Sequence, residues 1–235
     1  MPRKRAPQPG LFADDRSPNV ITGMEPLASD PNQRRIKVNG KIVATLRTGD
    51  VADLGLAVHL AWTKSLAQRV ERVLAIDKAR QQALALLSAR ALSTKTLTRR
   101  LRDRGHSESI VRQIVDEVRR DGWLNERAYA EEIVRNATRR KPAGRMLLEQ
   151  KLAQRGVEPA TAGRVVRAAS DAQDDRAAAY SLARRRLATM GSVAPDTAVR
   201  RVAGLLARRG FEDDVVEATI ERLRTILPSI SDAHD

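Results

Sequence analysis

Apolar positions recur every three or four residues through most of this chain, a period that predicts helix. From Ser65 to Ala89 the positions Leu66, Val70, Val73, Leu74, Ile76, Leu84 and Leu87 keep roughly helical spacing. Ser93 suits the N-cap of a helix running to Arg104, with Leu97 and Leu101 one turn apart and Gly105 at its C′ position. Ser107 starts the next, with Ile110, Ile114, Val115 and Val118 on one stripe and Gly122 after it. Pro159 and Pro195 suit first turns, and Pro228 ends the last helix. One stretch departs from the period. Arg35-Ile36-Lys37-Val38 and Lys41-Ile42-Val43-Ala44 alternate on either side of Asn39-Gly40, a favoured type I′ dipeptide, which predicts a β-hairpin. A lone hairpin is marginal in water, so it is expected to lean on the helical body.

The helical stripes repeat. Leu97 to Leu101 and Arg104-Gly105 return as Leu148 to Leu152 and Arg155-Gly156, then as Val202 to Leu206 and Arg209-Gly210. A second stripe follows each glycine: Ile110 and Val115, Ala162 and Val166, Val215 and Ile220. Another helix precedes each pair, over about 65 to 90, 126 to 140 and 171 to 189. The period of about 50 residues predicts three three-helix modules, resembling helix–turn–helix units, in an elongated tandem array. The expected fold is therefore all-α, with modules over 65–122, 123–170 and 171–229 and a short tail over 230–235. Residues 34–64 hold the hairpin and a short connecting segment. Residues 1–33 carry Pro2, Pro7, Pro9, Pro18, Pro26 and Pro31 and are expected to form a disordered leader.

Composition adds the nature of the partner. Lys and Arg number 43 against 29 Asp and Glu, a net charge of +14, which favours a polyanion or an acidic protein surface. No segment approaches the roughly 18 apolar residues of a membrane span. No apolar signal core follows Met1-Pro2-Arg3-Lys4-Arg5, and a cytoplasmic location is expected. There are no cysteines, hence no disulfides or thiolate metal sites.

Catalytic chemistry has little to stand on. Neither a G-x-x-x-x-G-K-[ST] loop nor a G-x-G-x-x-G turn is present. His59, His106 and His234 are scattered, and His106 occupies the slot of Val157 and Phe211, which predicts a packing residue. Asp174 and Asp175, and Asp213 and Asp214, fall near helix starts, where carboxylates cap helices and interact favourably with the dipole. Tyr129 and Tyr180 have no partner pattern for nucleophilic work. No enzyme activity, cofactor, metal or small-molecule substrate is expected. Of the six aromatic residues, Trp123 and Phe211 are expected in the core, leaving Phe12, Trp62, Tyr129 and Tyr180 as platforms for base stacking.

The candidate binding residues are therefore basic. They are Arg99 and Arg100; Arg135; Arg139, Arg140 and Lys141, with Arg145 and Lys151 after them; Arg184, Arg185 and Arg186; Arg200 and Arg201; and Arg208. The arginine fork donates two parallel hydrogen bonds to phosphate or carboxylate. Arg104, Arg155 and Arg209 stand apart: each precedes a repeat glycine, where a cation complements a helix C-terminus.

Several of these segments resemble the RecX family. Ala83-Leu84-Ala85-Leu86-Leu87-Ser88-Ala89-Arg90-Ala91-Leu92-Ser93, with Leu97 and Leu101, looks like the family's opening repeat. Gly122-Trp123-Leu124-Asn125-Glu126-Arg127-Ala128-Tyr129-Ala130 is similar to its G-x-L-[ND]-[DE]-x-x-[FY]-A signature, with Glu126 where many members have Asp. Lys141-Pro142-Ala143-Gly144 ahead of Arg155-Gly156-Val157 resembles the middle repeat, and Arg200 to Arg209-Gly210-Phe211 the third. The middle repeat is Ala-rich after Gly156, so its third helix is expected to pack loosely. The resemblance covers roughly residues 75 to 227, with a counterpart for the hairpin. It implies a cytosolic bacterial regulator, expected as a monomer, that docks on the filament of the RecA recombinase and DNA and restrains its ATPase and strand-exchange activities. The alternative is a basic protein that binds single- or double-stranded DNA directly and without sequence preference.

Overall fold

The computed structural model describes residues 19–172, 174–191 and 193–225. The expectations for residues 1–18, for Phe12, Pro228 and His234, and for the tail at 230–235 lie outside those. The chain divides into two units, residues 1–82 and 83–235.

The first unit is built on a three-stranded antiparallel sheet of β1 (Ile21–Leu27), β2 (Asp30–Val38) and β3 (Lys41–Arg47), in the order β1-β2-β3. The expected hairpin is β2–β3. Val38 pairs with Lys41 across Asn39 and Gly40, whose φ values of 47° and 79° are those a type I′ turn requires. Ile36 and Val38 on β2 and Ala44 and Leu46 on β3 are buried on one face, with Lys37 between the first two more exposed. Two expectations need correction. The sheet has a third strand, and that strand lies within residues 19–33, which the prolines made look like leader. Pro26 is tolerated because β1 is at the edge of the sheet and its register shifts between Pro26 and Leu27. Ile21, fully buried, anchors β1. Its backbone bonds to residues 59 and 60 cover the strand's outer side at its start: Ile21 N donates to Leu60 O at 2.9 Å, and His59 N to Ile21 O at 2.8 Å. Val51 from α1 (Thr48–Asp53), Trp62, and Leu66 and Val70 from the start of α2 (Lys64–Ala89) complete this core.

The second unit holds α3 (Thr94–Asp103), α4 (Glu108–Arg120), α5 (Glu126–Thr138), α6 (Arg145–Gln154), α7 (Pro159–Ala172), α8 (Asp175–Leu187), α9 (Pro195–Arg208) and α10 (Asp213–Arg224). Each module is read as a leading helix followed by a pair: α3–α4 after the end of α2, α6–α7 after α5, and α9–α10 after α8. The periodic leucines are the core. Leu97 and Leu101, Leu152, and Val202 and Leu206 are fully buried at corresponding positions. Val157 and Phe211 fill the slot after the repeat glycine, and His106 is half-buried there. The helix α7 packs more closely than its alanines suggested. Ala162, Val165 and Val166 join Ala130, Val134, Leu148 and Leu152 in one cluster.

Of the expected caps, Ser93 and Asp174 make theirs, whereas Ser107, Asp213 and Asp214 do not: the N-cap of α10 is Glu212, which makes no side-chain cap bond. Ser93 accepts from Thr96 N, Asn125 from Ala128 N, and Asp174 from Arg176 N and Ala177 N. Asp213 and Asp214 sit in the first turn of α10. Ser107 holds the N-cap position of α4, yet its hydroxyl faces Ser109 Oγ at 3.3 Å instead of capping. Trp123, expected in the core, is 57% exposed, and Trp62, expected to be free for stacking, is 3% exposed. The cause at Trp123 is position: it lies in the short connection between α4 and α5, where the neighbouring Leu124 takes the inward place at 4%.

Candidate binding groove

Helices α8 and α9 each present one stripe toward a shared trough. On α8 the stripe holds Leu182, Arg185 and Arg186, with Thr189 just beyond the helix end; on α9 it holds Arg200, Arg201, Gly204, Leu205 and Arg208. Spacings of three and four residues put each set on one helix face. The loop between α5 and α6 adds Arg140 and Lys141, and the open trough so lined has a volume of about 500 Å³. Seven cations meet there and no carboxylate lines the wall. Leu182 and Leu205 are apolar lining, and the Arg208 guanidinium lies over Gly204, where an added Cβ would stand 3.3 Å from its Nη1.

Among the described residues these seven charges also form no ion pair. The described ion pairs fall elsewhere, as in Arg102–Glu108, Arg127–Glu131 and Arg145–Glu149. Their one described side-chain bond to a side chain runs from Arg186 Nη1 to Thr189 Oγ1, at 3.4 Å. Like charges held together without counter-charges repel, and a polyanion relieves that repulsion. Arginine supplies six of the seven, so bidentate contact with phosphate or carboxylate is available along the trough.

The other basic candidates stand outside this groove. Arg139 and Arg184 are exposed neighbours of lining residues but do not line it. Arg145 is engaged: its Nε donates to Glu149 Oε1 at 2.9 Å and its Nη1 lies 3.8 Å from Glu212, and the bond to Glu149 raises its pKa above the ordinary guanidinium value. Arg135 lines a separate cavity with Arg127, Glu131 and Arg164. Lys151 is half-buried on α6. Arg99 is exposed and Arg100 half-buried on α3, with the Arg100 carbonyl accepting from Arg104 Nη1 at 3.0 Å, the helix-end role expected of Arg104. Among the described residues no cluster of His, Asp or Glu is arranged to hold a metal, and no helix is long and apolar enough to cross a membrane.

The loop that carries Arg140 and Lys141 is fixed by the third module. Arg209 donates from Nε to Pro142 O at 2.7 Å and from Nη2 to Lys141 O at 2.6 Å, with a further short bond from Nη2 to Pro142 O. Burial without an acid partner lowers its pKa from the ordinary guanidinium value. Beside it, Gly144 N donates to Arg209 O at 2.9 Å and Met146 N to Gly210 O at 3.1 Å. The end of α9 thus satisfies the open N–H groups at the start of α6. A related joint links the first two modules: Ser93 Oγ donates to Arg155 O at 2.9 Å, next to Gly156. Glu126 reinforces that joint, accepting from Thr94 Oγ1 at 2.9 Å and Thr94 N at 3.3 Å. Position alone predicted only a helix-end role for Arg209, because its carbonyl partners lie 67 and 68 residues away. Gly204 was legible in principle, since Arg200, Gly204 and Arg208 keep helical spacing.

This architecture has known counterparts. The model of the first three-helix domain of RecX matches residues 79–117, and that of the second three-helix domain matches residues 125–165. A curated relative from Trichlorobacter lovleyi, the regulatory protein RecX, is 32% identical over 141 residues, covering 60% of this chain and 92% of the relative. The chain belongs to the RecX family. A RecX from Amycolatopsis mediterranei is 30% identical over 148 residues, covering 63% of this chain and 84% of its own length. Among solved structures, a crystal structure of regulatory protein RecX aligns with a TM-score of 0.71 at 17% identity, covering 86% of this chain and 99% of that one. RecX from Lactobacillus salivarius aligns at 0.58 and 20% identity, covering 65% and 98%. At those identities the likeness is one of fold. The groove spans the matched and unmatched parts of this RecX chain: Arg140 and Lys141 fall inside the second matched domain, whereas α8 and α9 follow it.

Proposed function

We propose that this RecX-family chain acts by binding, as a cytoplasmic monomer without a catalytic centre, to the filament that the RecA recombinase forms on DNA. Bound there, it restrains the filament's ATPase and strand-exchange activities in recombinational repair. The observation that carries the reading is a groove of seven cations, none ion-paired among the described residues, in a member of a regulatory family. A RecA–DNA filament offers long anionic surfaces of phosphate and carboxylate, and the groove is shaped to grip either with arginine forks.

RecA ATPase on single-stranded DNA, with and without this protein and at several DNA concentrations, tests it. Inhibition that survives excess DNA is expected. Inhibition that disappears as DNA is added would put direct competition for the strand first. That second reading draws on the same groove, because a wall without acids suits bare phosphodiester backbone as well. Aromatic platforms for base stacking are few here, so such binding would be indifferent to sequence.

A further inference from the structure

Two of the seven groove cations, Arg140 and Lys141, stand on a loop, whereas the other five stand on α8 and α9. Charges on a loop add affinity only if the loop is already ordered; otherwise binding must pay the cost of ordering it. One side chain that does not line the groove bonds this loop next to its cations. We propose that Arg209 is a positioning residue: it holds Arg140 and Lys141 in register with the arginines of α8 and α9 without itself touching the bound polyanion. This rests on the reading above, that the groove is the binding face.

Adjacent arginines at the end of α9 divide the work. Arg208 lines the groove, while Arg209 turns its fork to the loop and bonds two successive carbonyls, Lys141 O and Pro142 O. Only a planar fork spans both carbonyls from one stem; a lysine in the same place keeps the charge and loses the span. The backbone bonds of Gly144 and Met146 to Arg209 and Gly210 fix the far end of the same loop. The groove is therefore a joint product of the second and third modules, and Arg209 is the side chain that ties the third module to the loop carrying Arg140 and Lys141.

The test uses the full chain. Its binding to a fluorescein-labelled oligo(dT) coated with RecA and a non-hydrolysable ATP analogue is followed by anisotropy over a range of NaCl concentrations. Four proteins are compared: wild type, Arg209→Lys, Arg140→Ala with Lys141→Ala, and the triple combination. Arg209→Lys is expected to weaken binding on the order of tenfold and to flatten the dependence of log affinity on log salt by about one, as if cations had left the contact. Combined with the alanine pair it should add nothing, since its effect runs through those two residues. A purely structural role would leave the salt slope unchanged.

Losses that add, or wild-type binding by Arg209→Lys, would overturn the proposal. If Arg209→Lys fails to hold its fold by circular dichroism, Arg209→Gln, which keeps one donor, is compared in the same way. A separate variant, Arg200→Glu with Arg201→Glu, isolates the parent reading. Full filament binding by that variant sinks the groove itself. Its loss, together with additive behaviour at Arg209, sinks the positioning role alone.

Discussion

A methyl group at Gly210 would stand 2.2 Å from the backbone nitrogen of Leu147, and one at Gly144 would stand 2.3 Å from the carbonyl oxygen of Gly210. Neither neighbour is a flexible side-chain end, so backbone must move for either methyl to fit. Gly105 holds the corresponding C′ position in the first module with φ +83° and open space around it. The pair separates two costs. Gly105→Ala should lose only about 1–2 kcal/mol, for a left-handed backbone in a residue with a Cβ. Gly210→Ala should lose more, because the contact of the turn after α9 with the start of α6 is disrupted as well. Equal losses in denaturant melts would contradict the close approach. These residues also show what a sequence conveys at this scale. The repeated Arg-Gly pair is legible as a helix end, since one turn of local geometry decides it. That Arg209 and Gly210 also meet the module before them is not legible, because that meeting depends on segments more than 60 residues apart.

Among the elements, the helices were readable because each buries one stripe, and period-3.6 stripes survive in sequence whatever they face. The helices therefore appear along the periodic stripes, with α5 and α8 shorter than expected: α5 ends at Thr138, and α8 begins at Asp175. Strand β1 was hidden for the opposite reason. It is an edge strand with few buried residues, and Pro26 and Gly23 sit within it. Trp123 misled because a large apolar residue in a five-residue connection has no stripe to assign it to a face. The stripe reading makes a quantitative demand. Leu152 is fully buried within the cluster that joins α5, α6 and α7. Leu152→Ala should then destabilise its module by about 2–5 kcal/mol, from lost burial plus the cavity left behind. Thermal or urea unfolding measures it, and a change within error would remove Leu152 from the core.

For the whole molecule the question is whether partners sense the net charge or one arrangement of it. The charge of +14 belongs to the chain as a whole, and many of its cations are exposed or paired with nearby acids. The candidate groove was only partly legible for that reason. Runs of arginine stand out in sequence, but the fold decides that Arg185 and Arg186 line the trough while Arg184 does not. Long-range steering follows the total charge and is screened over about 10 Å at moderate salt; contact with a bound phosphate follows position. Two double reversals with the same change in net charge tell them apart. Arg200→Glu with Arg201→Glu places two carboxylates in the groove, and Arg139→Glu with Arg184→Glu places two beside it. If the arrangement matters, the first should abolish filament binding at moderate salt. The second should slow association somewhat and leave the affinity within a few-fold of wild type, with helicity retained in both. Equal losses would mean that the filament responds to the basic surface at large, and the groove would then hold no privileged place in how this RecX protein acts.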